Sequence, residues 1–420
     1  MNTAKGFVNR WHRRTGAWAR RLAALAVLLT GACAGADRGA PDLSKLLYTY
    51  EWFQLRDAVD AGAKPPLLVR GALACIYNDV PRCKKDLERF LESKAPAGDM
   101  ALAHDFLMNM YARAGNFGEA LEHSRTTMRL LDKPPEKDWV TAVGEALHGS
   151  PGMSVEAFRP STIQCAPPVN KLMVPITVDG KPAEYILDTG ADMSVVSETE
   201  AKRLGLRASA GSCGRLNEST AGGLDTRCAV AERVNLGGIH LRNVPFVVIP
   251  DPNWFDFKLR GAIGVQILLA CKRVSWNKEG VLRLGYRTHA PKSKPNLYCD
   301  ELNLVVRTRY GNRDLAFRLD TGDEYVSDVS PRFAGTFPDL VKASGEKSTI
   351  QHVGAGGIVN VDTLLLPDLT WEIGGMRVTL PSVPVMPFGK KQHYGVIGYD
   401  VIRQGREVSL DFERMTLTLQ

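Results

Sequence analysis

The chain of 420 residues is long enough for two or three domains, and its composition, with 44% hydrophobic and 24% charged residues, is that of an ordinary globular protein. The formal net charge of +7 comes largely from the N-terminal stretch 1–32, which holds six basic residues and no acidic one. The rest of the chain balances 47 basic against 46 acidic side chains, which does not favour a protein that binds nucleic acid.

Residues 1–32 have the pattern of an export signal. Two arginines precede the apolar run LAALAVLLTGA, which is too short to cross a bilayer as a helix of the mature protein. The run leads into LTGAC, which resembles the bacterial lipobox, so Cys33 is the predicted site of lipidation. We expect a bacterial envelope lipoprotein that faces the periplasm and touches the membrane only through its lipid anchor. Ordinary cleavage near Ala34 or Ala36, which gives a secreted protein, is the alternative.

Residues 42–150 are predicted to be helical, because apolar residues recur at intervals of three and four in segments such as KDLERFLESK. Equivalent residues also recur 34 positions apart, as in Tyr77 and Tyr111 or Leu87 and Leu121. This spacing, together with the stretch YARAGNFGEA, resembles the tetratricopeptide repeat, whose helix pairs stack on one another. The resemblance implies a surface for packing or for a protein partner. A plain helical bundle is the alternative.

From Cys165 onward the pattern becomes that of an all-β protein, with short β-branched runs such as LMVPITV and NVPFVVIP between Gly and Pro residues. The segment APKSKPN at 290–296 has the composition of a linker. We therefore predict a first lobe at residues 165–290 and a second lobe at residues 298–420.

Seven cysteines follow Cys33, and in an exported protein they can form disulfides. Cys75 with Cys83 and Cys213 with Cys228 are the candidate pairs. Their spacing matches no zinc-binding pattern, and the chain contains no GxSxG, P-loop or GxGxxG motif. Serine-hydrolase, nucleotide-binding and zinc-enzyme chemistries are therefore not supported.

The two predicted lobes repeat the same landmarks in the same order. Asp188-Thr189-Gly190 recurs as Asp320-Thr321-Gly322 at an offset of 132, and each triplet follows an apolar run. The other repeated landmarks, at offsets of 134 to 139, are Ala221-Gly222-Gly223 with Ala355-Gly356-Gly357, Val244-Pro245 with Val383-Pro384, Ala262-Ile263-Gly264 with Val396-Ile397-Gly398, and VSWNKEG with VSLDFER. An ordered set with a nearly constant offset indicates an internal duplication.

An Asp-Thr-Gly triplet after an apolar strand, followed later in the same lobe by two apolar residues and a glycine, is the pattern of pepsin-like and retropepsin-like aspartic proteases. Residues 165–420 resemble this family. The resemblance implies an all-β bilobal acid-protease domain behind the helical region, an aspartic endopeptidase with a peptide or protein substrate, and no cofactor or metal. Asp188 and Asp320 would share one proton, and the ionised carboxylate would activate a water that attacks the peptide carbonyl.

The resemblance also implies roles for the residues around the two acids. Thr189 and Thr321 would hydrogen-bond across the interface between the lobes, and Gly190 and Gly322 would let each backbone turn tightly beside the other loop. The flaps over the cleft would be hairpins that contain Gly222, Gly223, Gly356 and Gly357. Gly264 and Gly398 follow the apolar pairs that would pack beneath the two acid loops. Asp192, Ser194 and Ser197 are candidates for the outer shell of the site, and a turn without a catalytic role is the alternative for them.

The second copy departs from the family pattern, because Asp323 stands where the first copy has Ala191. An extra carboxylate raises the pKa of neighbouring acids unless a nearby cation offsets its charge. Arg318 is the candidate cation, because it lies on the same strand face as Asp320. We expect an activity optimum less acidic than that of pepsin. A second interpretation is a decayed site that binds peptides or envelope components without cleaving them. A third makes the helical repeats the main function, as a scaffold.

Overall fold

The computed structural model describes residues 41–132, 139–216, 224–251, 260–287, 294–323, 327–354 and 357–420. The predicted signal at residues 1–32 and the predicted lipidation site Cys33 lie outside these residues. So do three of the predicted flap glycines, Gly222, Gly223 and Gly356.

The N-terminal region is helical, as its periodicity predicts. Among the described residues its helices are α1 (Leu43–Tyr48), α2 (Trp52–Asp60), α3 (Leu67–Ile76), α4 (Val80–Leu91), α5 (Ala97–Arg113), α6 (Phe117–Leu130) and α7 (Trp139–Ala146). Asp42 and Asp79 begin α1 and α4, since each carboxylate accepts a hydrogen bond from a backbone N–H of the first turn. Helix α3 is apolar and almost entirely buried, which makes it the inner helix of the region.

The first β-rich unit is a sheet that closes on itself. Its strands are β1 (Ser154–Phe158), β3 (Met173–Val178), β4 (Lys181–Leu187), β5 (Ser194–Ser197), β8 (Arg227–Leu236), β9 (Ile239–Ile249) and β10 (Gly261–Ile263). They pair in the order β1-β9-β5-β10-β4-β3-β8, and β8 also pairs with β9. Six strands therefore form a closed barrel, here called the first barrel, with α8 (Glu198–Leu204) and α9 (Val265–Ala270) beside it.

The second β-rich unit has the same plan. Its strands are β13 (Leu297–Asp300), β14 (Asn303–Tyr310), β15 (Arg313–Leu319), β16 (Asp328–Val329), β17 (Glu346–Gly354), β18 (Gly357–Ile373), β19 (Met376–Val385) and β20 (Gly395–Ile397). The order is β13-β14-β15-β20-β16-β19-β18-β17, and β14 also pairs with β18. This closes the second barrel, whose β15, β16 and β20 have the same neighbours and directions as β4, β5 and β10. Its short helices are α10 (Pro331–Thr336), α11 (Pro338–Ser344) and α12 (Tyr399–Ile402).

A five-stranded sheet joins the two barrels. It pairs β2 (Ser161–Gln164), β12 (Val281–Leu284), β11 (Arg273–Asn277), β21 (Glu407–Asp411) and β22 (Thr416–Leu419) in that order. Strand β11 follows the first barrel and pairs antiparallel with β21, which follows the second. The two halves of the duplication are therefore linked by backbone hydrogen bonds. The strands also begin earlier than the predicted boundary at 165. The sequence pattern does not reveal β1 and β2, because both strands are half exposed and lack an apolar run.

The helical region packs against both barrels. One continuous apolar core contains side chains from the helices and from each barrel. The guanidinium of Arg113, at the end of α5, donates to the carbonyl of Glu301 in the second barrel at 2.6 Å. The side-chain amide of Gln266, on α9 of the first barrel, donates to the carbonyl of Ala112 at 2.5 Å. Two consecutive residues of α5 thus contact both halves of the β-rich part.

The candidate disulfides are not present in the structure. The seven cysteines of the described residues are all free and buried. Cys75 lies close enough to Cys83 for the two thiols to interact, and so does Cys213 to Cys228. Within the described part of the chain, no helix combines the length and the apolar character that a transmembrane span requires.

Candidate active site

Asp188 and Asp320 come directly after the equivalent strands β4 and β15. Buried side chains hold each strand end in its barrel, and the next residue is the acid. The N–H of Asp188 donates to the carbonyl of Ile263 at 3.0 Å, and the N–H of Asp320 donates to that of Ile397 at 2.9 Å. The parallel neighbours β10 and β20 therefore fix both acids in the same way, as the repeated apolar pair before Gly264 and Gly398 suggested.

The two acids lie beside each other's loop. A Cβ atom on Gly190 would stand 2.2 Å from the Cγ of Asp320, and one on Gly322 would stand 2.4 Å from the Cγ of Asp188. No real side chain tolerates such distances, so glycine is required at both positions by close approach. The two carboxyl groups also lie close enough to interact electrostatically.

A reciprocal hydrogen-bond network connects the two loops beneath the acids. The hydroxyl of Thr189 donates to the carbonyl of Leu319 at 3.0 Å and accepts from the N–H of Thr321 at 3.0 Å. The hydroxyl of Thr321 donates to the carbonyl of Leu187 at 2.9 Å and accepts from the N–H of Thr189 at 3.0 Å. Both threonines are buried, so every polar atom of the network is satisfied within it.

The donors that face the two carboxylates are unequal. Among the described residues, Asp188 accepts one backbone hydrogen bond, from the N–H of Gly190 at 2.8 Å. Asp320 accepts two at 3.1 Å, from the N–H groups of Gly322 and Asp323. The guanidinium of Arg318 lies 3.3 Å from Asp320 and donates to the carbonyl of Gly190 at 2.5 Å. Arg318 thus pairs with Asp320 directly, and it also interacts electrostatically with Asp323, the extra carboxylate that it was predicted to offset.

The surroundings disfavour negative charge on several nearby acids. Burial, and secondarily the charge of Asp320, raises the pKa of Asp188 to about 7. Burial, and secondarily the charge of Asp323, raises the pKa of Asp328 to about 8. Burial also raises the pKa of Asp192. The site is therefore a cluster of acids, with the charge of Arg318 among them.

Of the predicted outer-shell residues, Ser194 and Ser197 have defined local roles. The hydroxyl of Ser194 accepts from the N–H of Gly264 at 3.0 Å and so joins the acid's loop to β10. Ser197 begins α8 as its N-cap, by accepting from the N–H of Glu200 at 3.2 Å. In the second barrel the hydroxyl of Ser327 accepts from Gly398 at 2.9 Å in the same manner as Ser194.

Two acids of the second barrel were missed by the sequence interpretation. Asp328 pairs with Val396 in the sheet, which is the place of Val195 in the first barrel. Asp400 stands where the first copy has Gln266, two residues after the repeated glycine, and it accepts from both the backbone N–H and the hydroxyl of Ser327. The sequence signal that could have revealed these two acids is that each is charged, whereas the equivalent residue of the first copy is uncharged.

The predicted flap of the second lobe lies on the β17–β18 hairpin. Gly354 and Gly357 pair across it, and Gly357 has a φ of +128°, which favours glycine. Its neighbour Gly356 lies outside the described residues. In the first lobe, β6 (Arg215–Leu216) pairs with β7 (Leu224–Asp225) on either side of 217–223, which include Gly222 and Gly223 and are likewise outside the described residues.

Two adjacent carboxyl groups with one shared proton supply a base and an acid at the same place. Like charges this close do not both ionise near neutral pH, so one group accepts a proton while the other donates one. Such a pair can activate water and polarise a carbonyl without a covalent intermediate.

Residues 174–269 match a family model described as "Aspartyl protease". A retropepsin-like aspartic protease from Rickettsia conorii is similar to the chain at 18% identity and a TM-score of 0.24, over 32% of this chain and 95% of that one. The retroviral protease-like domain of Ddi1 from Leishmania major is similar at 22% identity and a TM-score of 0.19, over 25% and 81% of the two chains. No curated protein matches the chain. The family match supports an aspartic protease, and it covers the first of the two barrels.

Proposed function

We propose that the protein is an aspartic endopeptidase whose two catalytic carboxylates, Asp188 and Asp320, come from two barrels in one chain. The observation that carries this proposal is that each acid lies directly beside the glycine of the other acid's loop, above a reciprocal hydrogen-bond network of Thr189 and Thr321. The aspartyl protease match of residues 174–269 supports it. The common strand order of the two barrels supports a bilobal layout in which each lobe supplies one acid.

The proposed reaction uses water as the nucleophile. The ionised carboxylate takes a proton from a water held between the two acids, and the water oxygen attacks the peptide carbonyl carbon. The protonated carboxyl group hydrogen-bonds the carbonyl oxygen and stabilises the charge that develops there. Proton donation to the leaving nitrogen then completes hydrolysis.

A peptide-library digest tests the proposal. We expect the mature protein to cleave internal peptide bonds, and we expect Asp188→Asn and Asp320→Asn each to lower the rate at least about 100-fold, because each removes a group that transfers a proton. Asp339→Asn is the matched control, since Asp339 is an exposed acid on α11. Cleavage at or near the wild-type rate in either Asn variant contradicts the proposal.

A non-catalytic peptide-binding protein is the second candidate. The observation that favours it is the ion pair between Arg318 and Asp320, which places a cation against one of the two acids. The same digest separates the two functions. A wild-type protein that binds library peptides, measured by pull-down and mass spectrometry, but leaves them intact is a binding protein.

The helical region is proposed to contain two tetratricopeptide-like units, α3 with α4 and α5 with α6. Residues 34 positions apart occupy equivalent places in them, since Leu87 and Leu121 are both buried, on α4 and α6 respectively. Such units commonly present a surface to a protein partner. Pull-down by the full chain, compared with a chain carrying charge reversals on exposed residues of α4 such as Lys85→Glu, tests this role.

We also propose that the protein is exported and anchored by lipid at Cys33, on the LTGAC pattern after the apolar run. Metabolic labelling with a radioactive fatty acid tests the proposal, with Cys33→Ser as the unlabelled comparison. A mature protein that begins near Ala34 or Ala36 and carries no lipid indicates ordinary secretion.

A further inference from the structure

The duplication is broken at one position beside the two acids. Ile186 lies two residues before Asp188 and pairs with Ala262, whereas Arg318 lies two residues before Asp320 and pairs with Val396. These are equivalent places in the two barrels. One acid therefore has a buried aliphatic side chain on its strand, and the other has a cation.

Arg318 reaches from its own barrel to the loop of the other. It lies 3.3 Å from Asp320 and donates to the Gly190 carbonyl at 2.5 Å, and about a third of its side chain is exposed. Within the part of the chain that the structure describes, Asp320 has this ion pair and Asp188 has none. An opposite charge this close favours the ionised form of a carboxyl group.

The backbone donors add to the same asymmetry. Asp320 accepts from two backbone N–H groups of the described residues and Asp188 from one, and hydrogen bonds to a carboxylate favour its charged form. Burial, followed by the charge of Asp320, raises the pKa of Asp188 to about 7. The two acids of a symmetric pair would be interchangeable, but these two are not.

We infer that Arg318 is a positioning residue that keeps Asp320 ionised, so that Asp320 is the general base and Asp188 carries the shared proton. This inference rests on the proposed function, because it assigns the two roles within that reaction. Arg318 itself transfers no proton in this reaction and acts through Asp320.

The proton balance follows from this assignment. The Asp320 carboxylate takes a proton from water while the water oxygen forms a bond to the carbonyl carbon, and the Asp188 proton moves to the carbonyl oxygen. Asp320 then gives its proton to the leaving nitrogen as the carbon–nitrogen bond breaks. Asp188 recovers a proton from a hydroxyl of the intermediate, and the pair returns to its starting state with one negative charge throughout.

Other charged groups also face Arg318. Burial lowers the pKa of Arg318, but the negative charges of Asp320, Asp192, Asp188 and Asp323 together outweigh burial and raise it. Asp328 also interacts electrostatically with Arg318. For Asp192, burial raises the pKa, the charges of Arg318 and Lys390 lower it, and the charge of Glu301 raises it. A competing role for Arg318 is therefore to neutralise the whole cluster without selecting one acid.

Thermal unfolding of the full chain between pH 6 and 8 separates the two roles without requiring activity. Asp188→Asn replaces a protonated acid by a neutral isostere, so we expect a midpoint equal to or above that of the wild type. Asp320→Asn removes the partner of a half-buried cation, so we expect a midpoint at least about 3 °C lower. In an Arg318→Met background the difference between the two Asn variants disappears.

Equal or reversed changes of the thermal midpoint in the two Asn variants overturn the inference. A difference between them that persists in the Arg318→Met background also overturns it.

Where the protein cleaves peptides, Arg318→Met also moves the acidic limb of the pH profile of kcat/KM to higher pH by more than the alkaline limb. A general neutralising role moves both limbs equally. Arg318→Lys restores the profile, and Arg309→Met, an exposed arginine on β14, leaves it unchanged. A failure of cleavage in the wild type overturns the proposed function, whereas the unfolding data decide the proton assignment.

Discussion

The hydroxyls of Thr189 and Thr321 each accept a hydrogen bond from the other residue's backbone N–H, at 3.0 Å in both directions. Each hydroxyl also donates to the last carbonyl of the opposite strand, β15 or β4. The two threonines lie 132 residues apart in the sequence. Their network holds the two acid loops in one geometry, because a shift of either loop breaks hydrogen bonds on both sides.

Replacing either threonine by valine should therefore destabilise the protein. Valine has the same shape but leaves a buried N–H and a buried carbonyl without a partner, which costs about 1–3 kcal/mol of unfolding free energy. Urea denaturation measures this cost. Thr370→Val is the control, because Thr370 pairs with Thr379 on the exposed surface of β18 and β19. An unchanged midpoint in Thr189→Val would show that the network does not hold the loops.

Alanine at Gly190 should abolish cleavage. The new Cβ would lie 2.2 Å from the carboxyl of Asp320 and force the two acids apart. We expect a rate loss of at least about 100-fold, as for removal of one acid. Gly335→Ala on α10 is the matched control, since no atom lies within 4 Å of its added Cβ. Equal activities of the two variants would refute the proposed contact between the acids.

The activity optimum should lie above pH 4. Asp188 has to hold its proton to act as the acid, and burial followed by the charge of Asp320 raises its pKa to about 7. Activity is therefore lost as the pH rises through about 7. Peptide cleavage measured from pH 3 to 8 checks this expectation, and an optimum below pH 4 contradicts it.

Asp328→Asn should stabilise the protein at alkaline pH. Burial first, and the charge of Asp323 second, raises the pKa of Asp328 from 3.8 in its ordinary state to about 8 in the folded chain. The folded state therefore retains a proton that the unfolded state loses, so wild-type stability falls as the pH rises from about 4 to about 8. The asparagine variant escapes this loss and keeps an acceptor for the N–H of Val396.

Thermal midpoints measured at pH 4 and pH 8 test this expectation. The gain in thermal midpoint of the variant over the wild type should be larger at pH 8 than at pH 4, by about 1 °C for each kcal/mol, because the unfolding entropy of a chain of 420 residues is large. Asp339→Asn controls for the removal of one negative charge. A gain that is the same at both pH values would mean that Asp328 does not titrate in this range.

Arg113→Met should destabilise the whole chain, and not the helical region alone. The guanidinium is buried and donates hydrogen bonds to the carbonyls of Glu301 and Cys75 at 2.6 and 2.8 Å. Its loss leaves both carbonyls without these hydrogen bonds, which should lower the free energy of unfolding by about 2–3 kcal/mol. Because the helices and barrels share one core, unfolding should remain a single transition. Arg125→Met, on the exposed face of α6, is the control. Separate unfolding of the helices, with cleavage intact, would identify them as a detachable pro-segment.

Several features of the molecule followed from the sequence alone. The periodicity of three and four predicted the helices, and the alternating runs from Cys165 predicted a β-rich remainder, because these patterns depend on neighbours along the chain. The two Asp-Thr-Gly triplets identified Asp188 and Asp320 as the candidate pair of acids, since the repetition of the triplet is visible in the sequence. Other boundaries were not visible, and β1 was missed because it lies half exposed at a sheet edge and needs no apolar run.

The tertiary structure alone decided how these parts meet. The sequence predicted that Arg318 offsets the charge of Asp323, and only the packing of the barrels shows that its guanidinium lies between Asp320 and the Gly190 carbonyl of the opposite loop. The cysteine pairs are free thiols, and α5 contacts both barrels through consecutive residues. Sequence patterns such as helical periodicity reflect interactions between residues that are close together along the chain. The direction of a long side chain across an interface depends on the relative placement of two folded halves, which no local pattern contains.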